Sequence, residues 1–354
     1  MRDFCFIVPI YNINTNYVDC CIKSLINQTN DDKQIIIVDD GSYDECSNFC
    51  DLLAKNYEDI VVVHKSRNEG VSKARTAGLE LCDSKMVLFV DGDDWLDNNV
   101  CEKILEFCLE QQQIPDITIF SGYRSYPSHE DADDIVKHIE CWENKYEIDK
   151  LQTMLLSGPT KNVPIKALSM ESVCAKAYSY DFIINSKVIM PDIPYREDGL
   201  YIQMLLDKAS LIIQLPFRGY HYRMTAGSTV NSFRENSPAE QFEYLSRLFE
   251  FAQKKERSAE YKVSLYYAAF ISMQICITQY FFHPQNKEKL YKKHLQCKRY
   301  LSQWPYSNTF KTIPFSELRR NHKIKAFCIR CGFYSAVTVL RNVYLKRRKN
   351  DYFE

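Results

Sequence analysis

Asp91-Gly92-Asp93-Asp94-Trp95 directly follows the apolar run Val87-Leu88-Phe89-Val90. Three carboxylates crowded at one point of the chain repel one another, and a cation such as Mg²⁺ or Mn²⁺ bound through oxygen offsets that repulsion. The competing reading is a turn rich in Asp and Gly, with Asp97 capping the next helix, but turns rarely need so many acids. Val38-Asp39-Asp40-Gly41-Ser42 repeats the pattern earlier in the chain, again with acids leaving an apolar run. A carboxylate there can accept hydrogen bonds from a ribose or a base N–H, and by itself the cluster equally suits helix capping ahead of Glu45.

Both clusters need strands to deliver them, and the first half of the chain supplies the pattern. Phe4 to Ile10, Gln34 to Val38, Ile60 to Val63, Met86 to Val90 and Ile117 to Phe120 are short apolar runs, as buried parallel strands are. Between them, Val18, Cys21, Ile22, Leu25 and Ile26 recur at helical spacing. Leu52, Leu53 and Tyr57 are expected on the apolar side of a second helix, and Ser72 to Leu81 forms a third. Open α/β sheets bind ligands beyond the carboxyl ends of their strands, where the acid clusters fall. Tyr123 to Tyr146 has no legible pattern. Helical periodicity returns at Leu151 to Leu156 and Leu200 to Leu206, and dominates from Ala239 onward.

Composition agrees with a folded enzyme more than with a nucleic-acid binder. Hydrophobic residues make up 45% and charged residues 26%, with a formal net charge of −1, so no global field favours a polyanion. The 14 scattered cysteines read as reduced core and helix residues in a reducing compartment, and the lone CxxC, Cys328 to Cys331, lacks a second ligand pair for zinc. Phe4 to Pro9 reads as a strand and not as a signal peptide. Val263 to Phe282 carries no charge, yet Ser264, Ser272, Gln274, Thr278 and Gln279 make it a buried helix sooner than a lipid-facing span.

Together with Val8-Pro9-Ile10-Tyr11-Asn12 and Gly70-Val71-Ser72-Lys73-Ala74-Arg75, in this order and spacing, the acid clusters resemble the family 2 glycosyltransferases with the GT-A fold, of the bacterial polysaccharide-assembly type. The likeness covers roughly residues 4 to 125 and returns at two later points. Arg196-Glu197-Asp198-Gly199 is similar to the motif that supplies the family's base, and His221-Tyr222-Arg223 with Ser228 is similar to a segment that closes over the donor diphosphate. The resemblance implies an α/β, GT-A-type, mostly parallel sheet flanked by helices, with a mainly helical C-terminal extension. It divides the chain into a catalytic domain, 1–235, and a helical region, 236–354. Within the former, 1–125 would bind the nucleotide sugar and 126–235 would face the acceptor.

The implied activity is that of an inverting hexosyltransferase, moving a sugar from a nucleotide sugar, a UDP-sugar first, to a hydroxyl of a glycan or lipid-linked acceptor. Asp198 would take the acceptor proton, with Glu197 beside it. Asp93 would hold Mn²⁺ or Mg²⁺, with His221 as an additional ligand that would favour Mn²⁺. Pro9, Tyr11, Asp40, Arg67, Asp91, Gly92, Arg223 and Ser228 would bind the donor, and Lys73 and Arg75 are further candidates for phosphate contact. The bland alternative for Asp198 is an N-cap of the helix at Leu200 to Leu206. One departure from the family pattern is Thr76, where many members have Asn; it puts one hydrogen bond in doubt.

Three rival readings are weighed. A nicotinamide dehydrogenase would show GxGxxG where this chain has Tyr11-Asn12-Ile13-Asn14. A sugar nucleotidyltransferase would open on a Gly-rich basic loop. A catalytically silent scaffold would need neither Asp93 nor Asp198. Finally, ten Lys/Arg and no acid lie between Arg319 and Lys349, interleaved with Ile324, Phe327, Val337, Leu340 and Tyr344. That stretch is expected to form a basic amphipathic helix, either solvated or resting on anionic lipid at the inner face of a cell membrane, with the protein otherwise cytoplasmic.

Overall fold

The computed structural model describes residues 1–157, 171–224 and 233–352. These divide into two compact units: residues 1–148 with 171–224, and residues 149–157 with 233–352.

The first unit is built on one sheet. Its elements in chain order are β1 (Arg2–Ile10), α1 (Thr15–Ile26), β2 (Lys33–Asp39), α2 (Asp44–Asn56), β3 (Ile60–His64), α3 (Val71–Glu80), β4 (Ser84–Phe89), β5 (Trp95–Leu96), α4 (Val100–Gln111) and β6 (Ile117–Ser125). There follow β7 (Glu130–Ala132), β8 (Glu140–Trp142), α5 (Lys145–Ser157), β9 (Lys176–Ser179), α6 (Tyr180–Ser186), α7 (Glu197–Leu206) and β10 (Ile212–Arg223). The strand order is β3-β2-β1-β4-β9-β6-β10-β5, with β7 paired to β6 and β8 to β10. Strands β1, β2, β3, β4, β6 and β10 run one way, and β5, β7, β8 and β9 run against them.

The apolar runs make the parallel core because strands covered on both faces need no polar alternation. Residues Phe4 to Ile10 of β1 are all buried, and β1 lies between β2 and β4. Helix α3 comes unusually near this strand at Gly78: a Cβ there would sit 2.4 Å from Ile7 Cγ2. That close approach sinks the inner face of α3, including Arg75, into the domain.

Some expectations are corrected. Leu52 faces water at 51% exposure while Leu53 is buried, because α2 turns only a narrow stripe toward the sheet. The stretch with no legible pattern extends β6 to Ser125 and adds the short strands β7 and β8. His221 and Arg223 lie on the long strand β10.

The second unit is helical: α8 (Ser237–Gln253), α9 (Ala259–Cys276) running into a π-helical turn (Ile277–Phe281), α10 (Leu290–Leu301), α11 (Tyr306–Thr312), α12 (Arg320–Arg330) and α13 (Tyr334–Tyr352). The end of α5 joins it through the buried Arg257, whose Nη1 donates to Gln152 Oε1 at 3.0 Å. Helix α9 buries residues all round, its Ser264 and Ser272 hydroxyls satisfied by Tyr261 O and Gln241 Oε1. No helix among the described residues is long and apolar enough to cross a membrane. All 14 cysteines are free thiols.

Candidate active site

The turn after β4 sorts its carboxylates into different tasks. Asp94 is fully buried; its Oδ2 accepts from the Tyr220 hydroxyl at 2.6 Å and its Oδ1 from the Arg223 backbone N–H at 2.8 Å. Burial, then the charges of Asp91 and Asp93, push its carboxyl well above the usual carboxylate range. Asp94 therefore anchors β10 to the turn. Asp91 and Asp93 remain partly open, and burial followed by the neighbouring Asp91 charge raises the Asp93 carboxyl. Gly92 packs against β1: a Cβ on it would lie 2.9 Å from Ile13 Cδ1 and 3.2 Å from Pro9 O. Asp97 does not cap α4 with its side chain; Asn99 holds that position, and Asp97 faces His221.

Arg75 joins this turn to the start of α7. Only 2% exposed, it donates from Nη2 to Asp91 Oδ1 at 2.8 Å and from Nη1 to Asp198 Oδ1 at 2.5 Å, with Glu197 Oε1 3.8 Å away. Burial works against its charge, but Asp198 and Asp91 outweigh it and hold the guanidinium protonated. Arg75 is thus a bridge between carboxylates, not a phosphate contact. Lys73 pairs at the surface with Asp192, 3.0 Å away, and Thr76 Oγ1 only returns to the Ser72 carbonyl of its own helix.

Asp198 is the second residue of α7; the cap position belongs to Arg196, in the left-handed region at φ 57°. The N-cap alternative is therefore set aside. Asp198 Oδ2 accepts from Ser172 Oγ at 3.2 Å and Val173 N–H at 3.3 Å, and the side chain keeps 21% of its surface open. Arg75, Ser172 and Val173 together fix the carboxylate while part of its surface stays open, as a proton acceptor needs. Glu197 differs: burial, then the Asp198 charge, push its carboxyl up to about 7.

Sequence reasoning missed the loop beneath this base. Lys176, buried on β9, donates from Nζ to the Ser172 carbonyl at 2.5 Å, and burial pushes its ammonium down to about 7. The signal was a lysine inside Val173-Cys174-Ala175-Lys176-Ala177-Tyr178, where only a bonded ammonium can be buried.

A column of flat groups lines the other side of the acid turn. His221 stacks between Tyr123 at 4.8 Å and Trp95 at 4.9 Å, and the Arg223 guanidinium lies 4.4 Å from both the Trp95 and the Tyr17 rings. Arg223 Nε donates to Asp93 O at 2.6 Å, while its Nη2 is buried with no hydrogen-bond partner among the described residues. That orphaned donor suits an anionic oxygen. His221, expected as a metal ligand, has Nδ1 at 2.9 Å from Glu130 Oε1 and Nε2 at 3.0 Å from Asp97 Oδ1.

The cluster after β2 lies at a neighbouring strand end. Asp40 accepts from Glu69 N–H at 3.1 Å and Gly70 N–H at 2.7 Å, tying down the loop before α3, and does not cap α2. Asp39 accepts from Ser42 N–H and Ser47 Oγ and faces His64 Nδ1; burial opposes its charge, but the bonds from Ser42 and His64 win and lower its carboxyl. Asn12, which receives no role in the sequence reading, bridges the two loops: its N–H donates to Ser42 Oγ and its Oδ1 accepts from Tyr43 N–H. Pro9 is the last residue but one of β1, Tyr11 just beyond the strand is exposed, and Arg67 stands in water. Ser228 lies outside the described residues.

Residues 5–160 match the model of glycosyl transferase family 2. This stretch belongs to that family. Glycosyltransferase GlyA of Streptococcus pneumoniae is 29% identical over 161 residues, 42% of this chain and 22% of that protein. The minor teichoic acid biosynthesis protein GgaB of Bacillus subtilis is 37% identical over 117 residues, 32% of this chain and 13% of its own length. The chain thus spans well under a third of these relatives. Among solved structures, residues 1–349 of S. aureus TarS, in complex with UDP-GlcNAc, cover 97% of this chain and 92% of their own at a TM-score of 0.63. At 17% identity that likeness is one of fold: the α/β, GT-A-type architecture with a helical C-terminal region.

Among the described residues no three His, Cys, Asp or Glu side chains converge as a metal cage. The donor set still suits a hard cation of the Mg²⁺ or Mn²⁺ kind, which takes one or two carboxylates and completes its shell with substrate phosphates and water. Asp91 and Asp93 would be those carboxylates, and Arg223, whose Nε donates to the Asp93 carbonyl, would offer its Nη2 to an anion.

Proposed function

We propose that this chain is an inverting glycosyltransferase that moves a sugar from a nucleotide sugar, a UDP-sugar first, to a hydroxyl of a glycan or lipid-linked acceptor. The observation that carries the reading is Arg75, which holds Asp91 of the acid turn and Asp198 at the start of α7 on one buried guanidinium. A donor-side carboxylate and an acceptor-side base then stand at a fixed separation, as a single displacement at carbon requires. The names of the relatives and the UDP-GlcNAc held by TarS support the substrate class.

In this mechanism Asp198 accepts the proton of the acceptor hydroxyl as its oxygen bonds to the anomeric carbon, while the bond from that carbon to the diphosphate breaks and the nucleoside diphosphate leaves. Inversion follows from attack opposite the leaving group. Arg223 offers Nη2 to the departing diphosphate, and the Trp95 and Tyr17 rings keep its plane in place. Asp91 and Asp93 would hold a divalent cation, which supplies Lewis-acid neutralisation of the leaving group. Arg75 keeps Asp198 oriented through its Nη1. Residues 1–235 form the catalytic part in this reading, with 126–235 toward the acceptor, at the cytoplasmic face of a membrane.

Incubation with a panel of nucleotide sugars, read as release of nucleoside diphosphate with and without chelator, tests it. Release from one donor, lost in chelator and reduced at least about 10²-fold by Asp198→Asn, is the expected result. Asp198→Asn at full turnover removes the base from this residue. Turnover that releases pyrophosphate would move the chain to the sugar nucleotidyltransferases, and binding with no turnover of any donor would make it a scaffold.

A further inference from the structure

Helices α12 and α13 carry the basic stretch, and large apolar side chains are exposed on and between them. On α12, Ala326 and Ile329 point inward, while Arg320, Ile324, Phe327 and Cys331 form an exposed row at helical spacing. Phe327 is 57% exposed, Phe333 in the following turn 58%, and Val339 on α13 60%. Lys323 and Arg330 border this apolar row. From Arg319 to Lys349 there is no acid, Glu317 and Asp351 being the nearest on either side.

We infer that the outer face of the α12–α13 pair docks on an anionic lipid bilayer, with Ile324, Phe327 and Phe333 entering the interface and the flanking cations on the headgroups. Exposed aromatics on a helix whose charges all have one sign are what an interfacial helix presents, since apolar insertion and attraction to anionic lipid add. Charge decides against a second copy of this chain: a two-fold contact sets a face against itself, here cations against cations. The inference does not depend on the transferase reading, because vesicle binding is measured without turnover.

The test is co-sedimentation of the full chain with vesicles of phosphatidylcholine alone and of equal parts phosphatidylcholine and phosphatidylglycerol. Binding to the mixed vesicles only, weakening as salt rises, is expected. Lys323→Glu with Arg330→Glu should weaken it by about 5-fold or more per charge changed. Phe327→Ser with Phe333→Ser should weaken it at least about 10-fold at unchanged melting temperature, both side chains being exposed already. No binding to the mixed vesicles at low salt, or equal binding to both kinds, overturns the inference. So does a dimer in sedimentation that the Phe327→Ser, Phe333→Ser variant dissolves, which would give the face to a second copy.

Discussion

Replacing Arg75 with Met removes the one guanidinium that Asp91 and Asp198 share and leaves the volume filled. Breaking a buried ion pair by deleting one partner costs about 3–5 kcal/mol, because the remaining charges stay behind without compensation. Arg75 is fully enclosed, but Asp91 keeps 34% and Asp198 21% of their side-chain surface in water, so the lower end, about 3 kcal/mol, applies. For a unit of this size that lowers the melting temperature by about 6–12 °C. Arg75→Lys separates charge from geometry: one ammonium restores part of the stability yet has no second arm to reach both carboxylates, so turnover stays low. Thermal unfolding, with donor turnover on the same samples, reads both effects. A Met variant that melts within about 2 °C of the parent and turns over normally would refute the bridge.

Glu197 gives an opposite pH signature to an ordinary paired acid. Its carboxyl is raised from 4.5 to about 7 in the fold, so its favourable contribution is complete below 4.5 and is lost as pH rises through 7. Glu197→Gln should therefore be more stable than the parent above neutrality, by at most about 3 kcal/mol, with the advantage gone in acid; identical unfolding curves at high pH would contradict this. Asp93→Ala should fold and melt like the parent but lose transfer, matching the parent in excess chelator. Full activity of either would take the cation away from the acid turn.

Much of the sheet was readable because β1, β2 and β4 are covered on both faces and appear as unbroken apolar runs such as Ile35-Ile36-Ile37-Val38. Strand β10 escaped notice because Gln214, Arg218 and His221 interrupt its apolar character, the last two for a tertiary reason: Arg218 Nε donates to Asp133 O, and His221 is held by two carboxylates. The four-residue β9 hides behind its buried lysine. Arg75 shows the same limit within the site. A basic residue on a helix is solvated by default; here Gly78, three residues on, lets α3 sink against β1, and Asp198, 123 residues on, supplies the partner.

The acid turn carries this furthest. Asp91, Asp93 and Asp94 are alike in type and nearly adjacent, and no local pattern separates the two that stay partly open from the one that is sealed. The separation is made by β10. Tyr220 and the Arg223 backbone close on both oxygens of Asp94, taking it out of the chemistry, while the Arg223 side chain turns back along the Asp93 carbonyl with one donor left over. A strand more than a hundred residues downstream thus assigns the roles within a three-residue cluster. It follows that Tyr220, which touches no reacting atom, sets how many carboxylates the site presents: without its hydroxyl, Asp94 would keep only the backbone bond and its raised carboxyl would be left to burial and the charges of its neighbours.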